Sequence, residues 1–256
     1  MKNIAKQLFC VSILFLAVWM PAQAQKGDTT LRKNVIKLDI TSYWLYRNAV
    51  VFAYERVTKN KPYQTWGVIA GYQQFPTVFG KIDNTNVNVT GETQASGIKI
   101  GGEYRFYLQK ENKYRAPHGV YLGPYTTFHN YSNGRSLEID NNGVLEYADL
   151  KSDLNILNIG VQLGYQFILN NRWAIDLVFI GPSVSNYSFK TSMDGTYTFD
   201  PDEITNEVVL DLMERFPAFK ELVNEGEFAS KGKVSTWAYG YRYQFQIGYH
   251  FGRKKK

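Results

Sequence analysis

From Tyr239 to Phe251 every second residue is aromatic or aliphatic, and between them stand Gly240, Arg242, Gln244, Gln246, Gly248 and His250. A period of two is the mark of a β-strand whose faces meet different surroundings. Seven consecutive apolar positions on one face and glycine, amide and charge on the other leave little freedom. The strand needs hydrogen-bonded neighbours on both sides, an apolar medium on one face and a small polar space on the other.

The same pattern recurs along the chain and predicts an all-β fold of eight strands, over 35–42, 49–57, 65–75, 97–107, 120–131, 156–168, 173–180 and 239–251. Ile36, Leu38 and Ile40 oppose Lys37 and Asp39; Val50, Phe52 and Tyr54 oppose Val51, Ala53 and Glu55. Trp66, Val68, Ala70 and Tyr72 oppose Gly67, Ile69, Gly71 and Gln73, and Ile98, Ile100, Tyr104 and Phe106 oppose Lys99, Gly101, Glu103 and Arg105. Leu157 to Phe167 alternates with Asn158, Gly160, Gln162, Gly164 and Gln166, and Trp173, Ile175, Leu177 and Phe179 oppose Ala174 and Asp176. The facing of 120–131 stays open, with Pro124 suited to a bulge or an outward kink. A composition of 16% aromatics with 21 glycines agrees with strands and turns.

An even number of strands of about ten residues is what a transmembrane antiparallel barrel requires. Turns at 58–63, 108–119 and 169–172 are short; the connections at 76–95, 133–153 and 185–233 are long, and that at 43–48 is short. A soluble barrel would bury the aromatic face. Here the opposite face carries the glycines and charges, which suit the narrow interior of an eight-stranded barrel. The apolar face is therefore expected to meet lipid. Trp66, Trp173 and Trp237 at one set of strand ends, with Tyr249 and Phe251 at the other edge, read as interfacial girdles. Lys37, Lys99, Arg105 and Arg242 point inward with Asp39, Glu55, Glu103 and Asp176, an equal number of each sign, and are expected to pair as a lumen charge network.

Residues 1–24 read as an export signal: Lys2 and Lys6, an apolar run from Leu8 to Met20, and "PAQAQ", with cleavage expected after Ala24. The sole cysteine, Cys10, lies in that run, so residues 25–256 form a single barrel domain without a disulfide. Losing Lys2 and Lys6 takes the net charge from +6 to +4. That charge is dispersed, and nucleic acid is not an expected partner. Lys59, Lys61, Lys110, Lys113, Arg115 and Arg172 sit in the short turns and Arg253–Lys256 in the tail, whereas the long loops are together acidic. Anionic headgroups favour that basic end.

"VVFAYERVTKN", "GVYLGPY" and the closing "YQFQIGYHFG" carry a resemblance in architecture, over residues 34–252, to small outer-membrane barrels of the OmpA/OmpX type, and nearer still to the PorT-like barrels of Bacteroidota. The resemblance implies an outer-membrane location, a periplasmic C-terminus, outer-membrane lipids and the barrel-insertion machinery as partners, and a monomer. The tail "GRKKK" departs from the type by placing residues after Phe251, the aromatic that the insertion machinery would read.

No phosphate-binding glycine loop, HExxH or GxSxG occurs, and no cofactor or metal is expected. His118, His129 and His250 are scattered. The alternative function is a lipid A-modifying enzyme, for which His129 with Ser132 is the one rim pair. In the last outer loop Asp200, Pro201 and Glu203 form a helix start, and Ile204, Val208, Leu212 and Phe216 form an apolar stripe. A helical insertion over about 200–228, acting as a lid or as a docking surface for an envelope protein, is the expectation. The preferred reading is a plugged, non-porin barrel with a structural, adhesive or envelope-assembly role.

Overall fold

The computed structural model describes residues 32–74, 87–92, 95–141, 144–195 and 233–252. The expected export signal, the helical stripe from Ile204 to Phe216 and the tail from Arg253 lie outside them. The elements are β1 (Asn34–Asp39), α1 (Ile40–Leu45), β2 (Arg47–Val57), β3 (Gln64–Gln74), β4 (Val87–Glu92), β5 (Ser96–Tyr107), β6 (Gly119–Asn141), β7 (Val144–Leu169), β8 (Trp173–Ile180), β9 (Pro182–Gly195), β10 (Lys233–Tyr241) and β11 (Gln244–Phe251).

All pairings are antiparallel. β1 lies between β11 and β2, the ladder runs on through β3, β5 and β6, and β6 pairs with β7 over its whole length. β8 and β9 both pair with β7 and form one strand interrupted at Gly181; β10 and β11 form another, interrupted at Arg242–Tyr243. The result is a closed eight-stranded antiparallel β-barrel, in which β4 continues the place of β5 along the upper part of β6. The tight turns at one end use Asn60, Asn170 and Asn171 at positive φ, which asparagine tolerates because its side chain compensates locally.

The wall is inverted relative to a soluble protein. Among the described residues, twenty buried side chains are polar or charged and sixteen are apolar. Val50, Phe52, Val68, Ile100 and Val161 stand exposed on the outer surface, while Lys37, Glu55, Arg105 and Asp176 are almost wholly buried within. Strand parity produces this, since one residue of slip would exchange the two sets. β6 turns Tyr121, Tyr125 and Tyr131 inward and Leu122 and Pro124 outward. Both of its faces carry bulk, which is why alternation alone leaves its facing open. Pro124 causes no shift in register with β7.

Several boundaries differ from the sequence expectation. β1 ends at Asp39, because its carboxylate accepts from the amide and hydroxyl of Ser42 at 3.1 and 2.7 Å and so starts α1 where strand and then loop were expected. The expected loop over 133–153 is mostly ladder. Pairs continue from Asn133↔Ser152 to Asn141↔Val144, around the Asn142-Gly143 dipeptide. Asn-Gly between alternating segments is itself a hairpin signal, and it outweighs the polar composition that suggests a loop. β9 continues to Gly195 and β10 begins at Lys233, within the stretch expected as the last outer loop, and β4 lies within the expected loop 76–95. Beyond the barrel, β10, β9, β7, β6 and β4 thus form a projecting sheet.

The wall has one interruption. Above Asp39↔Gln246 no strand pairs with the β10–β11 edge on the side of β1 among the described residues. α1 packs there between β2 and β11, and Thr41 Oγ1 accepts the Phe245 amide at 2.7 Å.

Candidate functional site

In the lower half of the barrel, inward side chains of β1, β2, β3, β5, β6, β7 and β8 meet in one polar assembly, beside small apolar clusters such as Val35, Ile168 and Ala174. Lys37 of β1 offers three N–H donors. They meet Glu55 Oε2 at 2.8 Å, Asp176 Oδ2 at 2.6 Å and Gln166 Oε1 at 3.2 Å. Those acceptors come from β2, β8 and β7, so four strands converge on one ammonium. Arg105 of β5 reaches the same Asp176 oxygen at 2.7 Å and Glu103 at 2.7 Å, and lies 4.1 Å above the Tyr121 ring. The remaining carboxylate oxygens are also used. Tyr121 donates to Asp176 Oδ1 at 2.6 Å, and Thr65 and Tyr107 donate to Glu55 Oε1 at 2.7 and 2.8 Å. A buried ion pair is tolerable only when its spare lone pairs are filled in this way.

The assembly continues upward without a break. Glu103 accepts from Gln162 at 3.0 Å and faces Arg242 at 3.5 Å. Arg242, 4.7 Å over the Tyr125 ring, donates to Gln244; Gln244 donates to Asp39 at 2.7 Å. Asp39 holds Lys99 at 3.1 Å, and Lys99 also donates to Ser42 of α1 at 3.2 Å. At the other end Gln166 donates to the carbonyl of Pro117, in the turn before β6, at 2.8 Å. All eight charged residues singled out in the sequence therefore lie in one chain of contacts, from the short-turn end to α1. The links between them, Gln166, Gln244, Tyr107 and Tyr121, were not singled out. For Tyr107 and Gln244 the signal was parity, since they share an inward face with Arg105 and Arg242; Gln166 and Tyr121 share theirs with no charged residue and are brought in by partners on other strands.

The aromatic girdle departs from expectation in one respect. Trp173 and Tyr249 are register partners and meet edge to face at 5.9 Å. Trp66, packed on Tyr54 at 5.8 Å, and Phe251 also lie near the short-turn rim. Trp237 alone is near the opposite end. Strands beginning at Trp66 and Trp173 rise from that rim, and the strand ending at Phe251 descends to it, so antiparallel order brings the four together.

The rim pair does not assemble. His129 is buried against Gln73, Thr127 and Tyr131, three residues from Ser132 along one strand, which puts Ser132 on the opposite face. No donor set that could hold a metal comes together among the described residues. His118 sits in the β5–β6 turn, stacked on Tyr114 at 4.8 Å. Burial, with His250 beside it, pushes its pKa down to about 4.

Comparison with known proteins adds a family and little more. No curated protein matches the chain. Among solved structures, the crystal structure of a major outer membrane protein from Thermus thermophilus aligns over 86% of this chain and 98% of that one. The identity is 9% and the TM-score 0.36, too loose for an inference from one to the other. A family model matches residues 16–188, more than half of the length, and the chain belongs to the family described as "Protein of unknown function (DUF3575)".

Proposed function

We propose that this chain is an outer-membrane barrel closed by its own ion pairs, with a structural, adhesive or envelope-assembly role. The observation that carries this reading is the unbroken contact chain from Pro117 to Ser42 through the lumen. Side chains that hold one another across an eight-stranded interior leave no room for a solute path. The chain is also a poor proton conductor. It passes through the amides of Gln166 and Gln244, and a primary amide does not relay a proton.

The membrane follows from the outer surface. Its exposed aliphatic and aromatic side chains form a band that water would not wet, and a closed barrel satisfies its backbone inside a bilayer. Outer-membrane lipids are then the main partner, with the insertion machinery during biogenesis. The short basic turns and the C-terminus face the periplasm, and the protein stands as a monomer. The stripe of Ile204, Val208, Leu212 and Phe216 is the second proposed contact, a lid or a docking surface for an envelope protein.

Fractionation with planar-bilayer recording tests the proposal. The protein is expected in the outer-membrane fraction, running differently on a gel before and after boiling and giving no porin-scale openings. Recovery from the soluble periplasm would overturn the membrane reading, and steady large conductance would overturn the plug.

A further inference from the structure

Gln246 stands inward on β11, in register with Asp39 of β1 on one side and Asp176 of β8 on the other. Its side chain is almost wholly buried, and neither its amide nitrogen nor its amide oxygen meets a hydrogen-bond partner among the described residues. Both atoms are idle whichever way the amide is turned. The carboxylates on either side are already engaged. Asp176 accepts from Lys37, Arg105 and Tyr121, and Asp39 from Lys99, Ser42 and Gln244. Two further idle atoms lie higher in the lumen. Gln162 and Arg242 converge on Glu103 Oε2, at 3.0 and 3.5 Å, and leave Gln162 Oε1 and Arg242 Nη1 buried with no partner. Arg242, Gln244 and Gln246 follow one another along the same inward face.

We infer that this part of the lumen is a binding site for a water molecule, seated on Gln246. Three properties of the site define the ligand. It must donate and accept, because Gln246 offers one idle atom of each kind, Gln162 an acceptor and Arg242 a donor. It must be neutral, because the four cations of the lumen already balance its four carboxylates and an ion would bury a charge with no counter-charge. It must be small, because side chains fill an eight-stranded interior. Water meets all three, and a buried water is held by groups of this kind. Its place in the plug is specific. On the β5 side Arg105 joins Asp176 to Glu103 by direct contact. On the β11 side the only side chain between the levels of Asp176 and Asp39 is Gln246, and the water makes that link polar. The site deepens the plugged-lumen reading, which would survive its failure, since none of the direct ion pairs includes Gln246.

Nuclear Overhauser spectra of the full chain in detergent, with its glutamines labelled by nitrogen-15, test the site. The Gln246 side-chain amide protons are expected to show a cross-peak at the water frequency, with the sign of a bound molecule and not of proton exchange. Through-bond transfer to the Gln246 backbone assigns the resonance, so this spectrum decides even where a variant does not fold. Gln246→Met keeps the length of the side chain and removes the amide. The unfolding equilibrium constant is then expected to rise about tenfold, because the water leaves with the amide that held it. An amide with nothing bound behaves in the opposite way, since replacing an idle buried polar group by an apolar one stabilises the fold. No cross-peak at Gln246 in the native chain overturns the inference. So does a Gln246→Met variant as stable as the native chain or more so.

Discussion

Lys37 and Asp176 are 139 positions apart in the chain, and their charged atoms are 2.6 Å apart inside the barrel. The two residues lie on β1 and β8, which are not paired; β11 runs between them. The pair therefore reaches across a neighbouring strand, and the Lys37 ammonium is at once the closest cation to Glu55. Removing it leaves two buried carboxylates to Arg105.

Lys37→Met is expected to destabilise the barrel by about 3–5 kcal/mol, the usual cost of stranding a buried charge. Denaturant unfolding in detergent measures it. The double variant Lys37→Met with Glu55→Gln should regain part of the loss, because it restores the charge balance. If the double variant is as unstable as the sum of the single ones, the two residues are not coupled.

Arg105 and Arg242 both face Glu103, at 2.7 and 3.5 Å. Arg105 is wholly buried and holds Asp176 as well; Arg242 is partly exposed, and Glu103 keeps Arg105 and Gln162 without it. Arg105→Ala should therefore cost about 3–5 kcal/mol and Arg242→Ala clearly less, on the order of 1–2. Equal losses by the same unfolding assay would contradict the hierarchy.

His118 makes stability fall in mild acid. Its folded pKa is lowered from 6.5 to about 4, so the unfolded chain takes up a proton first as pH drops. The contribution is intact above about pH 6.5 and is lost as pH falls toward 4. Unfolding midpoints at pH 8, 6 and 4.5 should decline more steeply for the native chain than for His118→Phe, which keeps the ring against Tyr114. Parallel profiles would remove His118 from the pH response.

Gly119 opens β6 at φ +112°, a conformation closed to residues with a Cβ. Asn112 lies against it and clasps Val120 with two hydrogen bonds of 2.7 Å. Gly119→Ala should destabilise by about 1–3 kcal/mol through strain and displacement of Asn112. An unchanged unfolding midpoint would mean the turn can be rebuilt at no cost.

Topology is open to single-cysteine labelling in intact cells. Tyr147, exposed on β7 in the projecting sheet, should label as cysteine; Lys110, in the β5–β6 turn, should not. The reverse result would invert the proposed orientation.

What the sequence determined by itself was parity. A period of two assigns each side chain to a face wherever one face is bulky and the other is not. That is why Lys37, Glu55, Arg105 and Asp176 could be placed inside from their neighbours alone. Where both faces carry bulk, as at Tyr121, Leu122 and Tyr125, parity has no sign and only the register with β5 and β7 supplies it. Strand ends were decided by tertiary structure in the same way. Asp39 is a good strand residue by pattern, yet its carboxylate is drawn into capping α1 and holding Lys99, so β1 stops there. Ladders beyond Asn133 and Ser185 depend on neighbours being present to accept their hydrogen bonds, which no local alternation can report. The sequence could say that four positive and four negative side chains share the lumen. Which of them touch was decided by the stagger of the strands, because stagger sets the height of each residue along the barrel axis.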